Sequence, residues 1–190
     1  MVRALCLVCL CLVARDLTAG PDEARRDHLL EVSQRYVGIQ EATGRNDGPV
    51  IERMQKFTGG EKGEPYCIDY LVTTGHEAGL IWMPITGYTP TLFQGAASAP
   101  FRIQAGELQP GDDVGLSMYV KKEGKYRLAH GLRLKEKHGN WWLTVEANTS
   151  PEAQPGTEAD RNGDGIWNRR RPAKLIEQRN NKFCRFWRKP

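Results

Sequence analysis

The chain predicts an α+β fold on two patterns. In the first half, apolar residues recur at helical spacing; in the second, they alternate with polar ones over runs long enough for antiparallel strands. The 190 residues, 39% of them hydrophobic and 26% charged, suffice for one domain. A chain of this size buries roughly two-thirds of its unfolded surface, so it needs no metal or disulfide to fold.

Taken in order, Arg3 precedes an unbroken run of Ala, Leu, Val and Cys from Ala4 to Ala14, followed by Thr18 and Ala19. This layout predicts a secretory signal peptide over residues 1–19. The protein is then expected to be exported, periplasmic or extracellular, with one domain over residues 20–190. No apolar run approaches the roughly 20 residues needed to cross a bilayer. Of five cysteines, three (Cys6, Cys9 and Cys11) fall in that leader, leaving Cys67 and Cys184. Exported domains that depend on disulfides usually carry several pairs, so a retained cysteine in mid-chain asks for a chemical reason.

Leu29, Leu30, Val32, Tyr36 and Val37 predict an amphipathic helix from Glu23 to about Glu41. A second, short helix is expected over Val50 to Phe57, with Pro49 at its first position. Gly59, Gly60, Gly63 and Pro65 then form a loop that delivers Cys67. Ile68, Leu71 and Val72 sit at i, i+3, i+4 and predict a third helix from about Cys67 to Gly79. Ile81 to Pro110 is interrupted by Pro and Gly and reads as a long packed loop. The Pro110-Gly111-Asp112 turn opens the strands. Val114, Leu116, Met118 and Val120 mark the first. Tyr126, Leu128, His130, Leu132 and Leu134 mark the second, alternating with Arg127, Ala129, Gly131, Arg133 and Lys135. Trp141 to Glu146 is the third.

Cys67 stands where the third helix begins, and the positive end of a helix favours the nucleophilic thiolate form of cysteine. Asp69, two residues on, is turned about 200° around the helix, so its charge need not face the sulfur. The bland alternative is a small buried hydrophobe. Strand parity puts His130 on the face of Leu128, Leu132 and Leu134, where a lone histidine is ordinarily a satisfied core residue. If Glu136 to Asn140 is the hairpin loop, His130 lies opposite Glu146, with Asn148 two residues further along the same side. Directly opposed Cβ atoms lie about 4.5–5.5 Å apart. Cys67, His130 and Glu146 or Asn148 then supply a nucleophile, a base and a group that orients the base. Backbone N–H groups at the helix start would form an oxyanion hole.

Gly63-Glu64-Pro65-Tyr66-Cys67, Pro110-Gly111-Asp112, Ala129-His130-Gly131, Val145-Glu146-Ala147-Asn148-Thr149 and Gly163-Asp164-Gly165-Ile166-Trp167-Asn168-Arg169-Arg170 fall in the order and spacing of CHAP domains. The chain resembles that family from about Leu29 to Trp187, especially exported single-domain bacterial members. The resemblance implies a papain-like (NlpC-like) fold, with N-terminal helices packed on a central antiparallel sheet. It also implies a cysteine amidase or endopeptidase acting on peptidoglycan. Cys67 matches the nucleophile, His130 the base, and Glu146 and Asn148 the family's Glu-x-Asn pair. Against the family pattern, Tyr66 replaces a common Trp, and Ile68-Asp69-Tyr70 replaces small apolar residues. His130-Gly131-Leu132 stands for His-Val-Gly, and Glu146-Ala147-Asn148 for Glu-Gly-Asn.

The expected function is therefore hydrolysis of an amide bond in peptidoglycan through a Cys67 thioester by a monomer that needs no cofactor or metal. The alternative is a catalytically silent module that binds the cell wall or envelope. Asp160-Arg161-Asn162-Gly163-Asp164-Gly165 resembles the first half of a calcium loop, but its twelfth position is Arg171 rather than a bidentate Glu. His28, His76 and His138 lack partners at zinc-ligand spacing. The C-terminal segment is basic: Arg169, Arg170, Arg171, Lys174, Arg179, Lys182, Arg185, Arg188 and Lys189 against Glu177. It suits anionic envelope polymers; export argues against nucleic acid.

Overall fold

The computed structural model describes residues 20–120, 123–152 and 162–190; the expected signal peptide lies outside them. No helix among the described residues is long and apolar enough to cross a membrane. Helix α1 (Pro21–Gln34) is shorter than its apolar period suggested, because the chain turns at Arg35 to Gly38. Helix α2 (Pro49–Thr58) opens on proline and closes on left-handed Gly59; helix α3 (Cys67–Glu77) begins at Cys67, as the spacing predicted.

The expected loop after Ile81 contains helix α4 (Thr89–Gln94) and two 3₁₀ turns, Ala96–Phe101 and Ala105–Glu107. Strands β1 (Asp113–Val120), β2 (Lys125–His138) and β3 (Trp141–Thr149) follow. Beyond them lie β4 (Gly165–Pro172), α5 (Ala173–Ile176) and β5 (Lys182–Cys184), where a basic tail had been expected. The five strands form one antiparallel sheet in the order β4-β3-β2-β1-β5. The fold is thus mixed α and β.

Both faces of this sheet are covered. One carries Val145, Ala147 and Ile166 in a core shared with α1, α2 and α3; the other carries Leu132, Leu134, Val114 and Trp142 under α5 and Ile103 to Leu108. The expectation that Gly131 and Arg133 form the polar face of β2 is therefore corrected. A Cβ at position 131 would lie 2.4 Å from Cδ1 of Ile68, so α3 seats directly on the glycine. The bulk of Ile68, one residue after Cys67, is thus accommodated by the missing side chain at Gly131, one residue after His130.

Arg133 is fully buried and pairs with Asp113 through Nε–Oδ1 at 2.8 Å and Nη2–Oδ2 at 3.0 Å. Its Nη1 also donates to Ser33 Oγ and Thr74 Oγ1, and its Nη2 to the Leu71 carbonyl, at 2.7 to 3.1 Å. One side chain thereby joins α1, α3, β1 and β2.

The hairpin register also differs from expectation. The turn is Gly139-Asn140 rather than a loop from Glu136 to Asn140, since Gly139 adopts φ +54° at the first turn position and lets His138 pair with Trp141. A bulge at Lys135 then leaves Leu132, not His130, opposite Glu146. A second bulge at Ala129 interrupts the β1–β2 pairing, so that Leu128 packs into the helix-side core instead of sharing the face of Leu132 and Leu134.

Replacing Arg133 with Met should cost about 3–5 kcal/mol in urea unfolding, because it leaves the buried Asp113 carboxylate without its cation. Replacing both partners with apolar residues should cost less than that single change; a cost within error of zero for Arg133→Met would show the network to be idle.

Candidate active site

The loop that presents Cys67 is held from below. Gln55, buried in α2, donates from Nε2 to the Glu64 carbonyl at 2.7 Å and the Asn46 carbonyl at 3.0 Å. Tyr66, the residue before α3, is fully buried; its hydroxyl donates to Glu41 Oε1 at 3.2 Å and meets the backbone amide of Asn148. No side chain caps the start of α3, so its first N–H groups are not claimed by a Ser, Thr or Asp cap. Cys67 is the first residue of the helix and is 4% exposed, on the floor of a cleft of about 550 Å³. Thr58, Glu64, Thr86, Tyr88, Leu128 and Ala129 are among its walls. Cys67 and Cys184 are both free thiols.

His130 lies behind Cys67 on β2, fully enclosed. Burial disfavours charge on the imidazole, but the Cys67 sulfur and the Glu146 carboxylate outweigh it and push the pKa up to about 9. The ring Nε2 is 3.2 Å from Glu146 Oε2. Nδ1 has no hydrogen-bond partner among the described residues. The ring is thus anchored through Nε2, and the Cys67 sulfur lies near enough to influence its titration.

Glu146 reaches His130 although the two are not opposed, because diagonal neighbours on one face remain within reach of long side chains. Its own partners are stronger. Arg171 on β4 grips both carboxylate oxygens, with Nε to Oε1 at 2.8 Å and Nη2 to Oε2, and Thr144 donates to Oε1. Burial alone would neutralise Glu146, yet Arg171 and His130 hold its carboxyl well below the usual range. Arg171 and Glu146 are both fully buried. The chain Arg171–Glu146–His130 therefore alternates in charge when the ring is protonated.

Arg171 and Thr144 were not among the expected site residues. Alternation was their signal: Arg169 and Arg171 face inward while Arg170 faces solvent, and Thr144 shares the parity of Trp142 and Glu146. The basic tail is corrected accordingly. Arg169 and Arg171 are interior, and Arg185 is engaged by Asp112 at 2.9 Å through both Nε and Nη2. In the calcium-like segment, Asp160 and Arg161 lie outside the described residues, and the twelfth position is this same Arg171.

Asn148 is buried at a bulge where β3 and β4 lose register, and its φ of +57° breaks the alternation expected to carry it past Glu146. Its backbone serves Tyr66, while Glu146 is the group bonded to the ring. Asp69 is turned from the sulfur toward Thr58, whose hydroxyl donates to Oδ1; burial raises its pKa to about 6.

No family model, curated protein or solved structure matches the chain.

Because the pKa of His130 lies above the ordinary 6.5, the ring should keep its proton until the pH passes about 9. In Cys67→Ala, burial loses a main opponent, and the titration should move down. Nitrogen NMR of the imidazole reads both; coincident titrations would mean that sulfur and ring do not interact. In Arg171→Met, the ring should titrate differently from wild type, since the charge state of Glu146 changes.

Proposed function

We propose that the chain is an exported cysteine hydrolase of the CHAP kind that cleaves an amide bond in peptidoglycan. The observation that carries the chemistry is the proximity of Cys67, at an uncapped helix start, to the His130 ring that its sulfur influences and that Glu146 anchors. The resemblance of the motifs around Cys67, His130 and Glu146 to CHAP domains supports the substrate class.

In this reading the Cys67 thiolate attacks the scissile carbonyl carbon. The developing oxyanion is stabilised by N–H groups at the start of α3. The C–N bond breaks as the imidazolium gives its proton to the leaving amine, leaving a thioester on Cys67. The neutral ring then takes a proton from water, which attacks the thioester and releases the acid and the thiolate. Arg171 keeps Glu146 ionised, and Glu146 keeps the ring oriented throughout. No step draws on a metal.

The low exposure of Cys67 favours a second reading, the silent wall-binding module. Alkylation distinguishes the two. A catalytic Cys67 should label well below pH 8 and slow markedly in His130→Ala, whereas a structural thiol should label slowly at every pH. With purified sacculi, Cys67→Ala should lose solubilising activity by a factor on the order of 10⁴, and the new termini released by wild type identify the bond. Equal release by both proteins would end the hydrolase reading.

A further inference from the structure

The cleft above Cys67 continues past its own walls. Tyr88 and Leu128 line it and also line a second hollow of about 420 Å³, which carries Lys125, Tyr126, Arg127 and Lys182. A third hollow of about 500 Å³ shares Gln94 and Lys182 with the second and adds Arg102 and Arg179. No carboxylate lines the second or third hollow; Glu64 lines the first. The groove therefore runs from an acidic end, across the sulfur, to a cationic one.

Its aromatic residues lie open to solvent. Tyr88 is 63% exposed and Tyr126 is 52% exposed, and the Tyr119 ring meets that of Tyr126 edge-on at a centroid distance of 5.3 Å. Large exposed rings beside a recessed nucleophile, followed by cations, match a ligand that offers flat amide groups and then negative charge. Glu123 pairs with Lys125 and Arg127, whereas Lys182 and Arg179 form no ion pair among the described residues. An uncharged sugar chain could stack on the tyrosines but would leave those cations without a partner.

We propose that this groove seats an acidic peptide, its backbone crossing Tyr88 and Tyr126 and its carboxylates directed to Lys182 and Arg179. The assignment rests on Cys67 as the reacting centre and identifies the peptide portion of the substrate as what the groove recognises. It places the carboxylate-bearing part on the Lys182 side of the bond to be cut.

Binding is measured with the full chain carrying Cys67→Ala, so that hydrolysis plays no part. The probes are N-acetyl-alanyl-γ-glutamyl-alanine with free carboxylates, its fully amidated twin, and tri-N-acetylchitotriose, each titrated by calorimetry. The free acid should bind about tenfold more tightly than the amide, and Lys182→Gln or Arg179→Gln should each remove a several-fold share of that preference. The exposed Lys174→Gln, which changes the same charge elsewhere, should leave it intact.

Equal binding of acid and amide, or an equal loss in Lys174→Gln, would overturn the assignment in favour of diffuse attraction. Binding of chitotriose alone, lost in Tyr126→Ala, would overturn it in favour of a glycan groove. Failure to bind the acidic tripeptide would refute the groove and leave the sacculus assay to judge Cys67 separately.

Discussion

The buried guanidinium of Arg133 is the constraint on which the rest of the molecule turns. It occupies the seam between helices and sheet, with Asp113 neutralising it and the Ser33 hydroxyl of α1 and the Leu71 carbonyl and Thr74 hydroxyl of α3 receiving its remaining protons. Arg133 lies three residues after His130 on one strand; Leu71 lies four residues after Cys67 on one helix. Fixing this contact fixes how the helix start meets the strand. An apolar pair could fill the same volume, but it would not set the sliding position of α3 along β2, because hydrophobic contact has no direction. Gly131 works alongside it by letting the helix sit flush through Ile68.

The site draws its electrostatics from a different strand pair. Glu146 could not remain ionised in a fully enclosed position on the strength of His130 alone, because an isolated buried carboxylate takes up a proton. Arg171 reaches across from β4 and makes the charge tolerable. This is why the C-terminal third belongs to the candidate site: β4 completes the sheet and also supplies the counter-charge. Placement of the basic residues follows the same logic, with Arg171 and Arg185 paired inside to Glu146 and Asp112, while at the surface Arg170 lies over Trp141 and Arg188 meets Asp22.

Much of the architecture could be read from the residues because α2, α3 and the first three strands each carry a clear apolar period. Strand β4 escaped because its inward positions include Arg169 and Arg171, which reverse the usual sign of the pattern. The pieces between Ile81 and Pro110 are too short to display a period at all. At the site, helix-start position and strand parity singled out Cys67 and His130. The expected opposition of His130 and Glu146 was wrong in register, since a tight turn at Gly139 and a bulge at Lys135 depend on backbone angles that alternation does not encode. The contact between them nevertheless exists, because a glutamate is long enough to span the diagonal. Asn148 was read as simply continuing the strand, and a left-handed backbone intervened.

Each border of the sheet is blunted. Strand β5 has only three residues, and the outer side of β4 is occupied at its start by residues 38–40, with Gly38 N–H bonded to the Ile166 carbonyl and Ile166 N–H to that of Ile39. At its far end β4 stops on a proline. The start of β4 and the start of β1 therefore have their outer ladder groups occupied. A newcomer strand is thereby kept off these covered stretches, whether it belongs to a ligand or to a second molecule, and recognition there falls to side chains.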